Sequence, residues 1–190
     1  MNVHDANTNL RGRDLAAIWH PCTQMRDHAG PDPLPMTPIV RGEGAWLVDA
    51  NGKRYLDAVS SWWTNIFGHA NPRVAAAVKD QLDRLEHVIF AGFTHEPAIA
   101  LAEELLRVAP PGFSRVFFAD NGSSAVEVAL KMSFHYWRNV GKPGKTRFIA
   151  LTGSYHGETL GALSVTDVPL YRATYAPLLD ELRPGNRVML

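Results

Sequence analysis

Asn121-Gly122-Ser123-Ser124 follows the apolar run Phe117-Phe118-Ala119 and precedes Ala125-Val126-Glu127. These residue types at this spacing predict a buried strand, a tight turn and the first turn of a helix. Such a junction aims free backbone N–H groups and the positive end of the helix at one point, which suits an anion such as a phosphate. Gly122 is expected to take a backbone conformation closed to other residues and to let the anion approach. Ser123 and Ser124 add hydroxyl donors, and Ser124 with Glu127 has the spacing of a capping box. The run has neither the Gly-Lys-Ser/Thr of a Walker A loop nor the Gly-x-Gly-x-x-Gly of a dinucleotide loop. A capped helix with no ligand is the competing reading.

A second group follows the next apolar run, residues 147–152. It is Gly153-Ser154-Tyr155-His156-Gly157-Glu158-Thr159. Strand, helix and strand with a crossover of this length predict a parallel α/β unit, in which ligands sit beyond the C-terminal strand ends. The Gly122 turn and the Tyr155 loop both fall at such ends. An anion site with an aromatic ring beside it would suit a phosphorylated, planar cofactor. Packing of Tyr155 within its own loop is the alternative, and His156 is as readily structural as catalytic. Two further groups lie upstream, Trp19-His20-Pro21-Cys22 and Ser60-Ser61-Trp62-Trp63. The first could form the lip of a pocket or pack as a surface tail. In the second, adjacent tryptophans on a strand face opposite sides, so one could pack while the other lines a cavity.

The elements that must position these groups are read from periodicity and punctuation. Residues 1–17 read as a loose lead-in with a short helical stretch near 14–18, and residues 27–38, with four prolines, as irregular. Asn51-Gly52 between two apolar-polar runs predicts a hairpin. Asn71-Pro72 opens a helix whose buried stripe is Val74, Val78, Leu82 and Leu85. Thr94 is placed to cap the next helix, with Ala98, Leu101, Ala102, Leu105 and Leu106 as its stripe. Residues 115–119 and 147–152 read as strands flanking the helix that starts at Ser124. After Pro169 the pattern weakens, and Arg187-Val188-Met189-Leu190 could open a strand. The expected division is an N-terminal segment, 1–90, and an incomplete α/β domain, 91–190. So short a parallel sheet is expected to be the front part of something larger.

Nineteen basic residues balance nineteen acidic ones among 190, so no bulk charge draws the chain to nucleic acid or an anionic membrane. A single cysteine, Cys22, excludes an intrachain disulfide framework and a cysteine-based zinc site. No apolar run reaches membrane-spanning length, and residues 1–13 lack the apolar core of a signal peptide. A cytoplasmic protein is expected.

The Gly-Ser turn with Glu127-Val128-Ala129-Leu130-Lys131-Met132 after it, together with Tyr155-His156-Gly157-Glu158-Thr159, resembles the class III pyridoxal-phosphate aminotransferases. Trp19-His20-Pro21-Cys22-Thr23-Gln24-Met25 and Ser60-Ser61-Trp62-Trp63 are more specific and resemble the branch that forms 7,8-diaminononanoate in biotin synthesis. The resemblance runs from about Trp19 to about Val168. It implies an α/β chain of fold type I, aspartate-aminotransferase-like, with its N-terminal segment and the first part of the large domain. It implies pyridoxal 5'-phosphate as cofactor, with Gly122 and Ser123 at the phosphate and Tyr155 over the pyridine ring and bordering substrate. Trp62 would contact the keto-amine substrate. Cys22 stands where the family usually has a substrate-recognising Tyr, and Glu158 where it commonly has Asp. The implied reaction moves an amino group from S-adenosyl-L-methionine to 8-amino-7-oxononanoate in a homodimer. The family's cofactor-anchoring lysine, ring-nitrogen aspartate and carboxylate-binding arginine lie downstream of this stretch. No catalytic residue is therefore assigned here, and the 190 residues alone are expected to be inactive. The alternatives are another class III omega-aminotransferase and a non-catalytic truncated phosphate-binding fragment.

Overall fold

The computed structural model describes residues 3–182 and 187–189. The chain forms two compact units, Met1–Thr94 and His95–Leu190.

The first unit opens with α1, Val3–Ala17. It is much longer than the short helix expected near 14–18. No proline interrupts these residues, and Leu10, Arg11, Arg13, Leu15, Ala16 and Ala17 are good helix formers. A 3₁₀ turn, Met25–His28, follows the His-Pro segment. The expected hairpin is present as β2, Trp46–Asp49, and β3, Arg54–Leu56. It gains a third antiparallel strand, β1, Ile39–Glu43, in the order β1-β2-β3 with an irregularity between Ile39 and Arg41. Gly52 takes φ +85° in the turn. Asp49 closes that turn: its carboxylate accepts the amides of Asn51 and Lys53, each at 2.9 Å, and the Tyr55 hydroxyl at 3.0 Å. Burial pushes the Asp49 carboxyl up, but these hydrogen bonds and the Lys53 charge outweigh it and hold the group below the ordinary carboxylate value.

A single helical turn, α2, covers Ser60–Trp63. Helix α3, Pro72–Leu82, starts as expected, with the Asn71 side chain accepting the amides of Arg73 and Val74. Its apolar stripe is not buried. Val74, Val78 and Leu82 are each about half exposed, because no described neighbour packs over them.

In the second unit α4, Glu96–Val108, begins one residue later than Thr94 would place it, with an extended His95 at its start. Leu101 and Leu105, expected in its buried stripe, are exposed. Residues 115–119 form no regular strand, since no ladder joins them to a neighbour among the described residues. Helix α5, Gly122–Asn139, leads to β4, Phe148–Ala150, and then α6, Leu160–Val165. The turn α7, Pro169–Arg172, a 3₁₀ turn, Ala173–Tyr175, and α8, Ala176–Leu182, come next. The last strand, β5, Arg187–Met189, pairs in parallel with β4. The buried centre of this unit is Ala150, Ala162, Leu163, Val165, Thr166 and Leu179. It lies under the loop that carries Tyr155.

Candidate active site

Helix α5 is capped by Asn121, not by a Ser124–Glu127 box. The Asn121 backbone is extended, its side chain accepts the Ser124 amide at 2.9 Å and its carbonyl accepts the Ala125 amide at 3.0 Å. Neither the Gly122 nor the Ser123 amide has a partner among the described residues. Both donors therefore remain at the positive end of an 18-residue helix. Gly122 is not at positive φ, so the conformational freedom available to glycine is not used here. Its contribution is space: a Cβ built there meets nothing within 4 Å, so the surface before the turn stays open.

The Tyr155 loop lies against this turn. The Glu158 amide donates to Ser123 Oγ at 3.0 Å across 35 positions of sequence. Ser123 keeps its hydroxyl hydrogen for a second partner. Gly157 makes the approach possible. It sits at φ +118°, and a Cβ there would overlap the Ser123 hydroxyl and come within 3.0 Å of Ser123 Cα. Glu127, one turn further along α5, accepts the amides of Gly161 and Ala162 at 2.5 and 3.1 Å. A carboxylate at the start of α6 is favourably placed for the helix dipole. Thr166 ties the loop from below: its buried hydroxyl accepts the His156 amide at 3.0 Å and lies 3.2 Å from the Gly157 carbonyl. The Tyr155 hydroxyl donates to Glu158 Oε1 at 3.0 Å, and its ring centroid lies 5.4 Å from that of Tyr171. Tyr155 is 54% exposed, with its hydroxyl and ring edge braced by Glu158 and Tyr171.

Sequence reasoning missed three of these supports. Asn121 carried a visible signal, being an excellent cap residue one position before the helix. Glu127 was seen as a local cap partner, although its carboxylate serves another helix. Thr166 carried no local signal, because its role depends on where the chain returns.

The other two expected residues lie in the first unit. Trp62 is in α2, where Ser60, Ser61, Trp62 and Trp63 have φ of 49°, 47°, 64° and 67°. This is a left-handed turn of four non-glycine residues. Each costs about 1–2 kcal/mol against ordinary backbone, so something must hold it. Asp57 does: one carboxylate oxygen accepts the Ser61 amide at 2.9 Å, the other lies 2.7 Å from both Ser61 Oγ and His69 Nε2. The Ser61 amide and hydroxyl, with His69 after them, hold the Asp57 carboxyl at about 2. Trp62 and Trp63 are both exposed. Cys22 is likewise exposed and left-handed, φ 54°, after a His20 that is paired with Asp14 at 2.7 Å.

Of the lysines described in this unit, Lys131 lies nine positions along α5 from Gly122. Lys145 lies 4.1 Å above the Trp137 ring, near the C-terminal end of α5, and Lys142 5.5 Å above the same ring. A helix of this length spans about 27 Å, which separates those amines from Gly122. Among the described residues no cluster of His, Cys, Asp or Glu could hold a metal ion.

An open helix start with two amides unpartnered among the described residues, a hydroxyl, and a loop bearing an exposed aromatic residue bonded to it is an arrangement that would suit a planar, phosphorylated ligand. The sequence description of the family Aminotransferase class-III matches residues 28–184. The adenosylmethionine-8-amino-7-oxononanoate aminotransferase of Geobacter sulfurreducens is 49% identical over 179 residues, covering 94% of this chain and 39% of that protein. The enzyme of the same name from Methanocaldococcus jannaschii is 41% identical over 94% of this chain and 38% of its own length. A crystal structure of the M. jannaschii enzyme superposes with TM-score 0.84 at 40% identity, covering 90% of this chain and 39% of that one. An omega transaminase from Pseudomonas jessenii, solved in complex with PMP, superposes with TM-score 0.81 at 33% identity, covering 95% and 39%. The chain therefore belongs to the class III aminotransferases, a pyridoxal-phosphate-dependent family of the aspartate-aminotransferase-like α/β fold. It spans about two fifths of the length of the relatives it matches.

Proposed function

We propose that residues 1–190, together with the remainder of an enzyme of this family, transfer an amino group from S-adenosyl-L-methionine to 8-amino-7-oxononanoate, giving 7,8-diaminononanoate. The observation that carries the reading is the Ser123–Glu158 contact, which joins the loop of Tyr155 to the turn that carries the Gly122 and Ser123 amides. The substrate pair is supported by identity of 41–49% to enzymes named for it, across nearly the whole chain.

The residues present fit pyridoxal 5'-phosphate. The Gly122 and Ser123 amides and the Ser123 hydroxyl would hold the phosphate, and the Tyr155 ring would lie on the pyridine and exclude water from one face. When bound, the cofactor supplies the electron-accepting ring on which amino groups are exchanged. Trp62 would offer an apolar surface to the acceptor's chain, and Cys22 would border the same substrates with a smaller group than Tyr. The first unit would belong to the small domain and the second to the large cofactor-binding domain. A cytoplasmic homodimer is the expected assembly. Without a lysine at the site, residues 1–190 alone would bind cofactor weakly and carry out no amino transfer.

The test is a fusion enzyme, residues 1–190 followed by the part of the Geobacter relative beyond its match. Diaminononanoate formation that requires S-adenosyl-L-methionine supports the reading. Equal or better rates with simple omega-amino donors would favour the general omega-aminotransferase reading, which the likeness to the P. jessenii enzyme keeps in view.

A further inference from the structure

The turn that carries Trp62 is the longest run of non-glycine residues at positive φ in the described backbone, four in succession. Beside the backbone bonds from Trp63 to Val59 and from Asn65 to Ser60, its side-chain restraints converge on one carboxylate. Asp57 takes the Ser61 amide and hydroxyl and faces His69 Nε2, while its own carbonyl accepts the Ser60 amide at 3.2 Å. The Asp57 and His69 side chains are only 6% and 15% exposed. His69 is in turn fixed to the sheet: its amide donates to the Gly44 carbonyl at 2.8 Å, and its carbonyl accepts the Gly44 amide at 3.1 Å. Gly42 on β1 leaves room for the imidazole, since a Cβ there would lie 2.6 Å from His69 Cβ. A connected path thus runs from β1 through His69 and Asp57 to Ser61. It ends on two tryptophans that remain 64% and 72% exposed. The carboxylate is buried, makes three hydrogen-bond contacts and restrains a turn whose aromatics are exposed. It is placed to aim the rings at something outside the unit.

We propose that Asp57, backed by His69, is the positioning residue for the keto-amine acceptor: it holds the Ser60–Trp63 turn left-handed and thereby sets the direction of Trp62. The proposal rests on the reading that Trp62 contacts the acceptor. The ligand chemistry is an extended aliphatic chain, which binds by lying along an indole face and is sensitive to that face's angle.

The experiment compares Asp57→Ala, Asp57→Asn and Trp62→Ala in the fusion enzyme, with its indole N–H resonances as a second readout. Asp57→Ala should raise the acceptor KM about tenfold, with kcat and the donor KM within about twofold of the parent. Asp57→Asn, which keeps an oxygen for the Ser61 amide, should recover part of that loss. Both should shift the Trp62 and Trp63 resonances and leave those of Trp46 and Trp137 in place. An unchanged acceptor KM in Trp62→Ala would overturn the acceptor reading itself. A raised KM in Trp62→Ala with normal KM and resonances in Asp57→Ala would overturn the positioning role alone. If Asp57→Ala fails to fold, Ser61→Ala, which removes only the hydroxyl bond, is read by the same criteria. Loss of stability in Ser61→Ala without a change in acceptor KM would likewise overturn the proposal.

Discussion

Single atoms decide how the α5 turn and the Tyr155 loop meet. Adding one methyl at Gly157 puts carbon onto the Ser123 hydroxyl at a φ that side chains avoid. Gly157→Ala should therefore cost about 1–3 kcal/mol in urea unfolding, and cofactor retention in the fusion enzyme should fall with it. Gly122→Ala is the informative contrast. Its Cβ meets no protein atom, so stability should hold or rise slightly while phosphate affinity drops, measured by titration with pyridoxal 5'-phosphate against pyridoxal. Cys22 separates two effects in the same way. Cys22→Tyr should strengthen substrate binding in the fusion enzyme by about 1–3 kcal/mol, the scale of an aromatic contact with a hydrogen bond, read as a lower KM. Cys22→Gly should raise the melting temperature, because glycine accepts φ 54° without strain, while loss of the thiol at the substrate border raises KM.

At the scale of elements, Asp57 makes the α2 turn acid-sensitive. Its folded value, about 2, lies below the ordinary 3.8. The stabilisation it contributes is complete above the unfolded value and disappears as pH falls through the folded one. Acid titration of tryptophan fluorescence should show a transition between about pH 4 and 2, and Asp57→Asn should remove that component. How legible each element was follows from how local its cause is. The Asn51-Gly52 hairpin and the Asn71-Pro72 helix start were readable because turn and cap chemistry lie within a few residues. The parallel β5 could be suspected from its apolar residues, and β4 supplies its partner. Strand β1 was missed because its partner strand, not its own composition, makes it a strand. Residues 115–119 failed in the opposite direction, since an apolar run is a strand only when something pairs with it. The four left-handed residues of α2 had no sequence signal at all, as Ser and Trp are poor candidates for positive φ. Gly122, Ser123 and Tyr155 were expected at one place, and the Ser123–Glu158 bond joins their loops there. The network that holds them, through Asn121, Glu127 and Thr166, emerges only once α6 has returned to α5.

For the molecule as a whole, the balance of surface is unusual. Among the described residues few apolar side chains are buried, while Val74, Val78, Leu82, Leu101, Leu105, Phe113 and Phe117 are all exposed. A groove of about 400 Å³ lined by Ile66, Phe67, Val74 and Val78 opens along α3. Contiguous apolar surface of this kind is normally covered by protein. The isolated 190-residue chain should associate at micromolar concentration and bind a hydrophobic dye, whereas the fusion enzyme should be a discrete dimer that binds little. Light scattering distinguishes these outcomes, and a stable monomer of the isolated chain with no dye binding would contradict the expectation.

The left-handed turn also sets rules for how this stretch can drift in sequence. Ser60, Ser61 and Trp63 occupy backbone that glycine, asparagine and aspartate tolerate far better. Selection of a randomised library over positions 60–63 for stability alone should therefore enrich those residues at 60, 62 and 63. Adding selection for growth that depends on the amino-transfer product should bring back tryptophan at 62 while leaving 60 free to change. Substitution at Ser61 should stay tied to the residue at 57, so that the two positions vary together or not at all.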